Sequence, residues 1–292
     1  MISTRIWRAI CDMTKDIRGG HPTYWTTFGH GPRKALLIHC SLAHSGAWKG
    51  VAGLLGDRLT MRAFDLPGHG RSDDWSPERD MQETSTAMAA DVIGDDGPMD
   101  IIGHSFGATV ALRLAIERPE LVRSLVLIES VFVAAALADD STLADQHDAS
   151  NMRYIEALER GDTMEAARAF MSEWGDGRPW EALPAEQRAF LASKIHLIQA
   201  NQATVLADRP GILRDRRIEA LDIPALFIRG ADSSAYVAPI HAALVRRLKG
   251  ARDIALTGAG HMAPITHSQE TAELISEFLE TVPVVSRPAP AQ

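Results

Sequence analysis

Short apolar runs alternate with stretches whose apolar residues recur at helical spacing over most of the chain. The runs fall at 35–39, 61–64, 99–102, 124–128, 225–228 and 253–256. Strand-length runs separated by helical patterns predict an α/β fold, with a mostly parallel sheet flanked by helices. Between 131 and 215 the alternation stops, and helix-like pieces follow one another at 151–159, 163–174, 184–198 and 200–207. An all-helical insertion between two sheet strands reads as a lid, because open α/β sheets bind ligands at the carboxyl ends of their strands. The expected organisation is a core of 1–130 and 216–282, a helical cap of 131–215 and a disordered Pro/Ala-rich tail of 283–292, with no internal repeat.

One junction carries chemistry. Gly103-His104-Ser105-Phe106-Gly107 lies between the strand run at 99–102 and a helical pattern at 108–118 that stops before Pro119. A serine between a strand and a helix sits on a tight turn. Glycine two residues before and after it relieves the clash and leaves the hydroxyl exposed. Glycine and serine are common, so the bare motif says little, and it is the strand-then-helix setting that marks Ser105 as a candidate nucleophile.

A serine hydroxyl near neutral pH needs a base within hydrogen-bond reach and an acid that fixes the base's tautomer. His261 is the best candidate base. It lies in Gly258-Ala259-Gly260-His261, after the last strand run and before a helical pattern at 269–279, which delivers it to the carboxyl edge of the sheet. His267 is a weaker candidate, and His104 is expected to pack within the elbow.

Composition narrows the partners. The chain has 292 residues, 46% of them hydrophobic, which is ample for a buried core. A net charge of -8 with no basic block argues against nucleic acid or an anionic membrane surface as partner. Residues 1–16 mix Arg, Lys and Asp among apolar positions and resemble neither a secretory signal nor a membrane span, so a cytoplasmic location is expected. Cys11 and Cys40 make neither a disulfide framework nor a metal pattern. Nothing near Cys40 suggests an activated thiolate that could replace Ser105.

Together, Ile38-His39-Cys40-Ser41-Leu42, Asp65-Leu66-Pro67-Gly68-His69-Gly70-Arg71-Ser72, Gly103-His104-Ser105-Phe106-Gly107 and Gly260-His261 resemble the α/β-hydrolase superfamily. The resemblance runs from about Tyr24 to Leu279. It implies that Asp65, His69 and Ser72 are structural, shaping a loop beneath the site. It assigns one oxyanion-hole N–H to Phe106, at the start of a helix whose dipole favours negative charge, and the second to Ser41 or Leu42. The family usually shows His-Gly where this chain has His39-Cys40, a departure that bears on the shape of that loop.

Two carboxylates compete for the acid. In most members it stands three residues beyond a glycine after the strand before the last. Here that glycine is Gly230 and the position holds Ser233, with Asp232 one residue early. Some members, haloalkane dehalogenases among them, place it at the end of the strand after the nucleophile helix, where Glu129 stands. Asp232 and Glu129 both remain open, while Asp253, at a strand start, is expected to face the wrong edge.

The expected activity is cleavage of a small to medium apolar carboxylic ester through an acyl-enzyme on Ser105, with no metal or organic cofactor. Carbon-carbon bond hydrolysis, lactone opening and acyl transfer use the same residues and stay as alternatives, as does a ligand receptor of the same fold or a non-catalytic scaffold. Relatives that open epoxides or remove halogen use an aspartate nucleophile, which Ser105 argues against. The expected partner is a small apolar ester-like molecule, and a homodimer stays open. The cap's Tyr154, Phe170, Trp174, Trp180 and Phe190, with Met152, Met164 and Met171, are read first as packing residues, since large apolar side chains at helical spacing more often fill a core.

Overall fold

In the computed structural model, which describes residues 14–284, the apolar runs become neighbouring strands of one sheet. Its strands are β1 (Thr14–Arg18), β2 (His21–Phe28), β3 (Arg33–Ile38), β4 (Leu59–Phe64), β5 (Met99–His104), β6 (Val122–Ile128), β7 (Ala225–Gly230) and β8 (Arg252–Leu256). They lie in the order β1-β2-β4-β3-β5-β6-β7-β8, with β1 and β2 antiparallel and the others parallel. The two antiparallel strands were not among the predicted runs. β1 carries Lys15, Asp16 and Arg18 and alternates between half-buried and exposed positions, while β2 mixes Thr with Tyr24 and Trp25. β1 is an edge strand half open to water and β2, beside it, keeps most of its positions only part-buried, so neither needs a continuous apolar run. The readings made for residues 1–16, for Cys11 and for the 283–292 tail fall largely outside the described residues.

Alternate side chains of each central strand feed two cores. Leu36, Ile38, Ile101, Leu125, Leu127 and Phe227 face one way, onto α2 (Met81–Ile93), α3 (Phe106–Glu117) and α10 (Val237–Arg247). Ala35, Leu37, Ile102, Val126, Ile128 and Leu226 face the other way, onto α1 (Lys49–Leu55) and α12 (Ser268–Thr281). Burial on both faces is why these strands read as solid apolar runs. One charged cluster sits inside: Asp100 is fully buried and accepts from Arg33 at 2.6 Å, Arg123 at 2.8 Å and the Ser124 hydroxyl at 2.7 Å. Arg33 also donates to the Leu279 and Val282 carbonyls, fastening the end of α12 to the sheet.

Between β6 and β7 the described chain is helical: α4 (Val133–Asp139), α5 (Leu143–Glu159), α6 (Thr163–Trp174), α7 (Ala185–Lys194), α8 (His196–Gln199) and α9 (Gln202–Val205). α5, α6 and α7 enclose a small core of Tyr154, Ala157, Ala166, Ala167, Leu191 and Ile195. A short helix, α11 (Ala263–Thr266), precedes α12. Among the described residues, no helix is long and apolar enough to cross a membrane.

Candidate active site

β3 has β4 on one side and β5 on the other, so the chain leaves these adjacent parallel strands in opposite directions and a crevice opens at their carboxyl ends. Every candidate residue is delivered to that edge. Ser105 follows β5, the 39–42 loop follows β3, Glu129 follows β6, Ser233 lies beyond β7, and His261 lies beyond β8.

The elbow is built by close approach. Ser105 adopts φ 55°, ψ -117°, a conformation that is costly for a residue with a Cβ, and its N–H donates to the Ile128 carbonyl at 2.8 Å. A Cβ on Gly103 would lie 2.4 Å from the Gly107 carbonyl oxygen. A Cβ on Gly107 would lie 2.3 Å from the Ile38 oxygen. The first glycine lets the turn close on itself, and the second lets α3 start against the backbone of β3.

Ser105 Oγ lies 2.9 Å from His261 Nε2, and His261 Nδ1 lies 2.9 Å from Glu129 Oε2. All three residues are buried, with Glu129 fully so. The other oxygen of Glu129 accepts from the Gly230 N–H and from Ser233 Oγ at 2.7 Å. Burial pushes the Glu129 carboxyl up, but the hydrogen bond and charge of His261, with the Ser233 and Gly230 donors, outweigh it and hold the group below the ordinary glutamate value. An ionised carboxylate only accepts, so His261 carries its proton on Nδ1 and presents Nε2 as an acceptor to the serine hydroxyl.

Asp232, the competing acid, is exposed, and its backbone N–H is bonded to the Ala259 carbonyl. It is not the carboxylate on His261. Ser233, at the position where most members carry the acid, instead donates its hydroxyl to the Glu129 carboxylate, which follows the neighbouring strand. A hydroxyl at that position is the signal that could have decided between Glu129 and Asp232.

The 39–42 loop carries Cys40 where the family usually shows glycine. Leu42, not Cys40, takes the left-handed conformation, at φ 60°. His39 donates Nδ1–H to the Cys40 carbonyl at 2.7 Å and accepts the Leu66 N–H on Nε2 at 2.9 Å. Burial pushes its pKa down to about 3, so the ring stays neutral as this arrangement requires. Cys40 and Ser41 line the same cavity as Ser105 and Phe106, whereas Leu42 packs against the core of the insertion. Phe106 is the first residue of α3, so its N–H has no carbonyl partner within the helix. Asp65 accepts from the Ser45 and Arg71 N–H groups, and the Ser72 hydroxyl donates to the Asp65 carbonyl. His69 Nδ1 lies 2.8 Å from the Pro67 carbonyl, so these three residues hold their loop together.

The cavity over Ser105 measures about 310 Å³. Its apolar wall includes Val131, Val133, Phe170, Trp174, Ile198 and Leu206. Trp174 stands edge-on to His261, ring centres 4.8 Å apart. Of the residues read as packing, Tyr154, Phe170 and Trp174 line this cavity, Trp180 and Met171 pack in the insertion, and Met152, Met164 and Phe190 are exposed. Asn201 donates to Ser41 Oγ at 3.2 Å, tying the insertion to the 39–42 loop. His104 does more than pack, since it hydrogen-bonds the His261 carbonyl. His267, which precedes α12, pairs instead with the Thr266 hydroxyl. Among the described residues, no three His, Cys, Asp or Glu side chains converge as a metal-holding group.

The family model described as "Alpha/beta hydrolase family" matches residues 35–274. A pimeloyl-[acyl-carrier protein] methyl ester esterase of Methylococcus capsulatus is 31% identical over 87% of this chain and 96% of its own length. The lipase LipV of Mycobacterium tuberculosis is 29% identical over 85% of this chain and 94% of its own. Among solved structures, an alpha/beta hydrolase from Nostoc sp PCC 7120 superposes with a TM-score of 0.74 at 20% identity, covering 93% of this chain and 99% of that one. A meta-cleavage product hydrolase from Pseudomonas fluorescens reaches 0.68 at 17% identity, covering 91% and 97%. With the eight-stranded sheet and the serine at its elbow, these matches settle the family: the chain belongs to the alpha/beta hydrolases.

Proposed function

We propose that this protein hydrolyses carboxylic esters through an acyl-enzyme on Ser105. The observation that carries the reading is the unbroken run of hydrogen bonds from Ser105 Oγ through both ring nitrogens of His261 to Glu129. Ser105 Oγ attacks the ester carbonyl carbon as its proton passes to His261 Nε2. The N–H groups of Phe106 and Ser41 take the oxyanion, Ser41 being favoured over Leu42 because it lines the cavity beside Ser105. When the carbon-oxygen bond breaks, the leaving alkoxide takes the proton from Nε2. Water, deprotonated by the same nitrogen, then frees the acid and restores Ser105.

The helical insertion acts as a cap over this cavity, with α5 and α6 supplying Tyr154, Phe170 and Trp174 to its wall. An apolar cavity of about 310 Å³ suits a small to medium apolar acyl or alcohol group. The relatives named as a methyl ester esterase and a lipase support ester cleavage as the reaction type. A cytoplasmic setting belongs to the same reading.

The test is burst kinetics with a short-chain chromogenic ester on the wild type and on Ser105→Ala, followed by intact mass of a quenched sample. The expected result is an adduct of acyl mass on the wild type that the variant lacks. Equal rates and no adduct would refute the reading and turn attention to carbon-carbon substrates.

A further inference from the structure

The main chain that carries Glu129 is held from behind by a second histidine. Glu129 sits at φ 53°, a left-handed conformation that is unfavourable for a residue with a Cβ and persists only where its surroundings hold it. Two backbone N–H groups pin this turn. That of Glu129 donates to the Ile228 carbonyl at 2.8 Å, and that of Ser130 donates to His241 Nε2 at 3.0 Å. Ser130 and His241 are both 0% exposed, so water cannot replace the second bond.

His241 lies on α10, and its other ring nitrogen, Nδ1, is 2.8 Å from Asp253 Oδ1 on β8. Arg229 donates to the second Asp253 oxygen at 2.9 Å. Asp253 had been expected to face the wrong edge of the sheet. Asp253 does stand at the start of β8 and does not touch His261, yet the register pairs it with Phe227, which pairs with Leu127, only two residues before Glu129. From there it reaches the catalytic edge through the imidazole, whose ring packs on Phe227 with centres 5.1 Å apart. An ionised Asp253 accepts from Nδ1–H, which leaves Nε2 as the acceptor that the Ser130 N–H requires.

We infer that His241 is a positioning residue for the reaction, fixing the Ser130 N–H and through it the aim of the Glu129 carboxylate at His261, with Asp253 setting its tautomer. The inference rests on the ester-hydrolysis reading of Ser105, His261 and Glu129. Geometry of this kind matters because a misplacement of about 1 Å by a residue remote from the chemistry can cost about a hundredfold in rate.

Two substitutions separate positioning from mere packing. The amide oxygen of His241→Gln extends to the place of Nε2 and can accept from Ser130, while that of His241→Asn reaches only the place of Nδ1. Steady-state kinetics on a chromogenic ester, with thermal melting in parallel, are expected to show His241→Asn losing about 10- to 100-fold in kcat with KM within about threefold. His241→Gln should stay within about fivefold of the wild-type kcat, even where both variants melt earlier by the same amount. Asp253→Leu, at a partly exposed position, should fold in any case and lose kcat without KM, because it frees the tautomer.

Equal kcat in Asn and Gln variants, or a wild-type kcat in Asp253→Leu, would overturn the inference. Ser105→Ala is measured alongside. If it abolishes turnover while the His241 and Asp253 variants match the wild type, only the positioning role falls. If it turns over like the wild type, the ester-hydrolysis reading falls and takes this one with it.

Discussion

His104 donates its Nε2–H to the main-chain carbonyl of His261 at 2.8 Å, so the residue before Ser105 holds the backbone of His261. The turn at Ser105 and the loop beyond β8 are thereby fastened together where Ser105 Oγ meets His261 Nε2. Burial, helped by the charge of His261, pushes His104 down to about 3, which keeps the ring neutral at working pH. His104→Leu leaves the buried carbonyl unpartnered. It is expected to cost about 1–3 kcal/mol of stability in urea unfolding and about 10-fold in kcat. An unchanged unfolding midpoint would show that the carbonyl finds another donor.

The two carboxylates should separate cleanly. Glu129→Gln keeps the shape but loses the charge that sets the His261 tautomer, and the expected loss in kcat is about 10³- to 10⁴-fold. Asp232→Asn, at an exposed position, should be nearly silent. Similar modest losses in both would mean that neither is the acid.

Stability should fall on the acid side of neutrality before any carboxylate titrates. His39, His69 and His104 are each pushed by burial down to about 3. An unfolded histidine titrates near 6.5, so between these values the unfolded chain holds protons that the fold does not. Stability therefore rises with pH across this window and is lost as pH falls below about 6.5, by up to ~1.4 kcal/mol per pH unit for each ring. Urea midpoints at about pH 7, 6 and 5 read this directly, and a flat series would show that the rings take up protons within the fold.

Cys40 lines the cavity yet should behave as an inert residue. It is 3% exposed, and burial pushes its thiol up to about 12. In a Cys11→Ser background, iodoacetamide at about pH 8 should leave both Cys40 and the ester activity untouched until denaturant is added. Rapid alkylation of the folded protein with loss of activity would contradict the burial.

The parallel strands, the tight turn at Ser105 and the place of His261 beside it were legible because each leaves a local mark: a solid apolar run, two glycines around a serine, and a histidine in a glycine-rich loop. β1 and β2 were not, since a half-wet edge strand such as Thr14–Arg18 needs no apolar run. The acid resisted for a different reason. Asp232 and Glu129 are both plausible along the chain, and what separates them is the direction of a side chain from a left-handed residue after β6, which depends on contacts with β7 and α10. Asp253 lies at the start of its strand as read, and its link to Ser130 through His241 shows only in the register that brings it level with Leu127.

The helical insertion is joined to the sheet by segments of very unequal length. On one side only residues 130–132 separate Glu129 from α4, and on the other residues 206–224 run between α9 and β7. The short joint and the residue whose carboxylate meets His261 are thus one piece of chain. The long joint is no looser for its length, since Ile212, Ile218 and Leu221 bury it in the core. A change of length within 130–132 would therefore act first on Glu129, and anyone exchanging the insertion for a foreign one should keep 129–133 intact.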